Sequence, residues 1–354
     1  VMAALATDNP ASTSILSGQA LADLARFTFT GSGNLTNVTL QRTGLSTSAD
    51  ISNVYLYNGN QRLTDGASVN TNGQIVFSGL NIPVNGSTTL SVKADMASSV
   101  TSVSLGVTLA SFTVSGGSAT TVNLAGNIHF VSTAPNNTAS ATLNSSNLSS
   151  TATINAGLTG YTVWSNRLQI SGRTTWLKGA NFRVIGSAPS DAVQNIKMYV
   201  DGTQVGSAVS VNAMGYAFFD FGGAPVSLNT GTHTIDVRGD IVKGSNRTFQ
   251  FSLQNAADLM LVDSQLGINI AASTVVTNGA GPTVTVSTGS ITVNIDPTFQ
   301  AMTNVTGGAT NVVIGKFKLR GYGEDVKVQT LRVIPSMTSG VASGSSATST
   351  LNNV

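Results

Sequence analysis

Residues 51–59 read ISNVYLYNG, residues 193–202 read VQNIKMYVDG, and residues 351–354 read LNNV, which is how the phrase begins. In each copy an apolar residue is followed two positions later by Asn53, Asn195 or Asn353, and then by a β-branched residue. Val54 and Leu56 in the first copy, and Ile196, Met198 and Val200 in the second, fall at every other position. That is the period of a half-buried strand. The strand runs into Asn58-Gly59 or Asp201-Gly202, dipeptides that tolerate positive φ at both central positions of a type I′ turn. The phrase therefore predicts a strand entering a tight hairpin, and its repetition predicts a repeated β domain.

The flanks repeat as well. Before the first phrase, Phe27–Phe29 alternates as a strand, although Leu21–Arg26 could form a helical turn. Gly31-Ser32-Gly33 predicts a turn, and LTNVTLQR at 35–42 alternates again. After the phrase come Ile75–Phe77, Leu80–Pro83, the clean strand Thr88–Asp95 (TTLSVKAD), Val103–Leu109 and Phe112–Val114. Segments of this length separated by turn signals predict a β-sandwich. A second unit follows the same order. Leu168–Ile170 and Gly172 match Phe27–Phe29 and Gly31, and VRGD at 237–240 stands where VKAD stood at 92–95. A third unit starts at Ile291–Ile295, continues with KFKLR at 316–320 and VKVQTLRVI at 326–334, and stops inside the phrase. The landmarks Phe27, Leu168 and Phe317 lie 141 and 149 residues apart. That spacing suits tandem domains and is too long for solenoid repeats. The expected organisation is a sandwich over 1–132, a second over 133–290 with a divergent start at YTVWSN (161–166), and an incomplete third unit over 291–354. The stretches 135–153 and 273–282, poor in charge, read as linkers.

Composition agrees with an all-β reading. Charged residues are 9% of the chain, against about 25% in a typical domain. Glu324 is the sole Glu, and there are seven Lys. Exposed helix faces want such residues, whereas Val, Thr, Gly and Asn suit strands and turns. With 41% apolar residues the chain can build cores. The absence of cysteine excludes disulfides, thiolate metal sites and Cys nucleophiles. A net charge of +2 supplies no basic patch for nucleic acid. No apolar run reaches the roughly 18 residues of a membrane span. The chain begins at Val1 with no visible signal peptide, which reads as a processed or excised chain. The surface must be mostly hydroxyl and amide, which suits a secreted protein.

KFKL followed by EDVKVQTLRV, then the LNNV, ISNVYLYNG or VQNIKMYVDG phrase, then a strand ending VKAD or VRGD, resembles a repeated immunoglobulin-like module. Such modules recur in very large secreted surface proteins of bacteria, notably the S-layer-like proteins of the Patescibacteria. The resemblance covers most of the chain and implies tandem immunoglobulin-like β-sandwich domains. Its motifs are fold motifs and carry over no functional residue.

Chemistry is sparse. His129 and His233 are the only histidines, and His233 and Asp236 should face opposite sides of their strand. That leaves neither a triad nor the three or four ligands of a zinc site. The fifteen acids are scattered, as turn caps would be. Asp8, Asp95 and Asp240 at strand ends, with Glu324 and Asp325 in a loop, are the candidates for a structural calcium, without EF-hand spacing. Asn34, Asn37, Asn85, Asn136, Asn144, Asn147, Asn246 and Asn304 each open an Asn-x-Ser/Thr triplet and are candidate glycosylation acceptors. Trp164, Trp176, Tyr55, Tyr57, Tyr199, Phe218, Phe219 and Phe221 read as core or cross-strand pairs, and alternatively as a glycan platform. The expected function is non-enzymatic: a structural subunit of an extracellular layer or filament whose partners are other copies of itself. The low charge permits dense packing, and sheet edges can pair with neighbours. The incomplete third unit is either continued by further chain or completed by a neighbouring subunit. The alternatives are a cell-surface adhesin stalk with a glycan- or protein-binding face, and an enzyme whose catalytic domain lies elsewhere.

Overall fold

The computed structural model describes residues 1–354 apart from 101, 301–303, 305, 323–325 and 335–354. The protein is nearly all β; its one described α-helix is the four-residue Val275–Asn278. Among the described residues no helix is long and apolar enough to cross a membrane.

The first set of strands runs from Met2–Leu5 to His129–Ser132 and encloses one apolar cluster containing Phe27, Phe29, Leu40 and Phe112. Its spine is the 22-residue strand Ala22–Thr43. The first half of this strand pairs with Ile82–Met96, from Ala22↔Ala94 to Leu35↔Ile82. The second half pairs with Val103–Val114 on one side and Gln74–Phe77 on the other. The turn expected at Gly31-Ser32-Gly33 is therefore absent, as is a helical turn at Leu21–Arg26. Gly31 and Gly33, at φ 127° and 150°, let the strand change neighbours without breaking.

The second set buries Trp164, Phe182, Phe219, Phe249 and Phe251 between a six-stranded and an eight-stranded sheet. Here the chain does break at the place that matches the glycine bend. Tyr161–Ser171 and Thr175–Gly186 lie in different sheets, parted at Gly172 with φ 79°. The presumed linkers are part of this set. Within 135–153 the strand Ser140–Leu143 pairs with Tyr161–Ser171, and Thr151–Ile154 pairs parallel to Thr283–Val286. Within 273–282, Val275 is buried, and Gly279 takes the Trp164 indole N–H on its carbonyl at 2.8 Å.

The repeated phrase forms strands Ile51–Asn58 and Val193–Val200. Its asparagines mark β-bulges: the register shifts between Ile51 and Asn53 and between Gln194 and Lys197, with Asn195 at φ 49°. Asn tolerates that left-handed backbone, and a bulge re-aims the strand. The second hairpin turns at Asp201-Gly202, both at positive φ (50° and 80°), as a type I′ turn requires. The first is shifted by one residue. Asn58 still pairs with Gln61, so the loop is Gly59-Asn60, with positive φ at Gly59 alone.

Beyond these sets, Ser290–Ile295 and Phe317–Tyr322 form an antiparallel hairpin. Residues 326–334, expected as a strand, are exposed and form no strand pairing among the described residues. LNNV at 351–354 lies outside the described residues.

Candidate functional site: the joint between the two sandwiches

Strand Ile51–Asn58 turns Val54 and Leu56 into its own core, so Tyr55 and Tyr57 point outward. Both are nevertheless buried, at 0% and 1% exposure. They belong to a separate apolar cluster with Ala20, Leu21, Ala257 and Met260, the last two from the second set. Tyr55 and Tyr57 meet edge to face at 6.4 Å. Burial raises both phenols well above the ordinary tyrosine value. Tyr55 and Tyr57 are thus buried as the core reading expects, in a cluster that the two sandwiches share.

Arg62 crosses that joint from the hairpin. It is 1% exposed and pairs with Asp258, which is fully buried. Asp258 also accepts the backbone N–H of Gln254 at 2.6 Å and of Asn255 at 2.8 Å. Burial raises the Asp258 carboxyl above its ordinary value, against the Arg62 charge and the two N–H donors that favour its ionised form. With its amide oriented to satisfy its neighbours, Asn181 accepts from Arg62 Nη2 and Nε at 3.1 Å each. The guanidinium plane sits 5.3 Å from the Tyr55 ring and 5.2 Å from the Tyr216 ring. Burial disfavours the charge on Arg62, but Asp258 and the surrounding phenols more than offset it and hold its pKa above the ordinary arginine value. Around the clamp, the Tyr216 hydroxyl donates to Asp65, Asn60 Nδ2 donates to Asp220, and the backbone N–H of Ala20 donates to the Asn269 carbonyl at 3.2 Å. Every Arg62 donor group that faces the second sandwich is bonded, which is the condition for a buried charge to be tolerated.

The calcium candidates lie apart. Asp8 pairs with Arg26 at 2.6 Å. Asp95 accepts the Leu21 N–H at 3.0 Å and the Tyr55 hydroxyl at 2.8 Å. Asp240 accepts the Gly160 N–H at 2.8 Å and Asn195 Nδ2 at 2.7 Å. Glu324 and Asp325 lie outside the described residues. Among the described residues no three His, Asp or Glu side chains converge as metal ligands would. Of the glycosylation candidates, Asn34, Asn85, Asn136, Asn144, Asn147, Asn246 and Asn304 are exposed and Asn37 is half-buried.

The histidines hold structure. His129 is buried and bridges the Leu24 carbonyl at 3.0 Å and Thr13 at 3.2 Å. His233 Nδ1 bonds Asp201 at 2.7 Å, while Asp236 instead takes the Ser165 hydroxyl and Arg238. A groove of 540 Å³ between residues 63–70 and 74–80 carries Asp65 as its single charged wall residue. Arg62, Asp258, Asn181 and Tyr216 escaped sequence reasoning. The available signal was the pair Tyr55 and Tyr57 on the outer face of a strand whose inner face is already apolar, because a strand apolar on both faces is covered on both.

The fold and joint define an all-β protein of tandem sandwiches in contact through a buried ion pair and a shared apolar cluster. No family model and no curated protein matches the chain. The solved structures it resembles include three bacterial proteins. The C-terminal domain of the antigen I/II-family protein AspA of Streptococcus pyogenes aligns over 80% of this chain and 98% of its own, at 10% identity and TM-score 0.21. The serine-rich repeat protein Srr2 of Streptococcus agalactiae aligns over 69% and 81%, at 12% identity and TM-score 0.17. A Corynebacterium diphtheriae protein aligns over 83% of this chain and 57% of its own, at 15% identity and TM-score 0.16. At scores this low the likeness carries no argument about this chain.

Proposed function

We propose that this chain is a stiff, non-enzymatic segment of a secreted bacterial surface assembly, a structural subunit of an S-layer-like sheet or filament. The observation that carries the reading is the Arg62–Asp258 clamp. Domains within a chain move relative to one another unless their interface is large or apolar. Here a buried ion pair, two phenol rings and a separate apolar cluster fix the angle. A rod that must transmit load or hold a lattice spacing needs such a joint; a flexible tether does not. The low charge keeps repulsion between neighbouring rods small. Burial of Tyr55, Tyr57, Phe219 and Phe221 removes most of the aromatic surface that an adhesin face would use.

Electron microscopy of the purified protein, with calcium and after chelation, tests this. Ordered sheets or filaments are expected, and loss of order on chelation would add a structural cation. Monodisperse elongated monomers in both conditions would overturn the assembly reading in favour of an adhesin stalk.

A further inference from the structure

The surface that the first sandwich offers to the second is built from two pieces, and the second sandwich carries both. One piece is the segment just before the long strand. In the first sandwich Gly18 N–H donates to the Ala97 carbonyl, Met96 N–H to the Gln19 carbonyl, and Leu21 N–H to Asp95. In the second, Gly157 N–H donates to the Ile241 carbonyl, Ile241 N–H to the Leu158 carbonyl, and Gly160 N–H to Asp240. The backbone repeats too: Gly18 and Gly157 have φ 71° and 94°, and Leu21 and Gly160 have φ 47° and 62°. The other piece is the outer face of the repeated phrase. Lys93 lies 5.0 Å over the Tyr57 ring, and Arg238 lies 4.4 Å over the Tyr199 ring at the corresponding place.

The occupancy of the two copies differs. In the first, residues 19–21, Tyr55 and Tyr57 are covered by the second sandwich. In the second, Lys197 and Tyr199 remain half-buried. One contact has already been made there. Tyr322, from the hairpin of the third unit, packs on Gly157 so closely that a Cβ at that glycine would enter its ring. Gly157 is the counterpart of Gly18, next to Gln19, which bridges to Ile270 of the second sandwich.

We infer that the outer face of Val193–Val200, with residues 157–160, is the docking surface for the third unit of this same chain, so that one joint geometry propagates along the rod. The two joints are not equal in chemistry. The hairpin register that pairs Tyr57 with Arg62 pairs Tyr199 with Gln204. The second joint therefore repeats the aromatic–cation face without the buried Arg–Asp clamp, and it is the more easily opened. The inference holds whether the rod builds a lattice or a stalk.

The chain lacks cysteine, so pairs of spin labels can be placed at will. Labels at Ser207 and Thr292, both exposed, report the second joint; labels at Thr121 and Ser207 report the first. A single narrow distance distribution is expected for both pairs in the otherwise unchanged chain. Tyr322→Ala and Tyr199→Ser should each broaden the Ser207–Thr292 distribution and leave the Thr121–Ser207 distribution narrow, which also shows that the sandwiches stay folded. A broad Ser207–Thr292 distribution without either substitution would overturn the inference. So would a narrow one that Tyr199→Ser leaves unchanged.

Discussion

Asp95 and Asp240 occupy the same place in two copies of one motif, and their surroundings push them in opposite directions. Burial raises the Asp95 carboxyl above its ordinary value, against the Leu21 N–H and the Tyr55 hydroxyl that favour its charge. Asp240 lies outside the joint, and its bonds from Asn195 and the Gly160 N–H lower it. The consequences for stability have opposite sign. Folded Asp95 binds its proton before the unfolded chain does, so its contribution rises as pH falls from neutral through the folded value and levels off below 3.8. Asp240 contributes fully above 3.8 and loses that contribution as pH falls through its lowered value. Melting temperatures across pH for Asp95→Asn and Asp240→Asn test this. On acidification the parent should gain on the first variant and lose to the second. Difference curves that slope the same way would show that the joint does not desolvate Asp95.

At the scale of the element, most strands were legible, because period-2 alternation and Asn-Gly or Asp-Gly dipeptides are local signals. What escaped was continuity. Gly31-Ser32-Gly33 and Gly172 look alike in sequence, yet the first bends an unbroken strand and the second ends one. The difference lies in distant partners: Ile82–Met96 pairs straight through the first glycine pair, and no local pattern encodes that pairing. The charge-poor linkers were misread for the same reason. Thr151–Ile154 becomes a strand through its parallel partner Thr283–Val286, over a hundred residues away. The joint was half legible in Tyr55 and Tyr57, while Arg62 and Asp258 are single charged residues with no pattern to join them. The bend makes a prediction of its own. A Cβ at Gly33 would lie 2.7 Å from Val114 Cγ1 on a backbone at φ 150°. Gly33→Ala should cost about 1–3 kcal/mol in chemical denaturation, from strain and overpacking. Gly223, with ordinary φ and open space around it, is the control. Gly223→Ala should be neutral or stabilise by up to about 1 kcal/mol, and equal losses at both sites would remove the strand-bend account.

For the whole molecule the question is whether two sandwiches behave as one body. Each has its own core and would melt alone if nothing tied it to its neighbour. The joint ties them, because opening it exposes Tyr55, Tyr57, Ala257 and Met260, and separates Arg62 from Asp258. A buried ion pair contributes little net stability against an apolar isostere, but removing one partner alone costs about 3–5 kcal/mol. That asymmetry makes Arg62 the residue whose loss separates coupled from uncoupled unfolding. Calorimetry of the full chain should show the two sandwiches melting in one transition. Arg62→Met keeps an apolar side chain of similar length but removes the guanidinium from between Tyr55 and Tyr216 and leaves Asp258 buried with only its two backbone donors, so the transition should split in two. Arg62→Lys keeps a charge near Asp258 and loses the fork that also reaches Asn181, so it should fall between them. A single unshifted transition in Arg62→Met would mean that the apolar cluster alone carries the coupling. The rod would then owe its stiffness to burial of the tyrosines and not to the clamp.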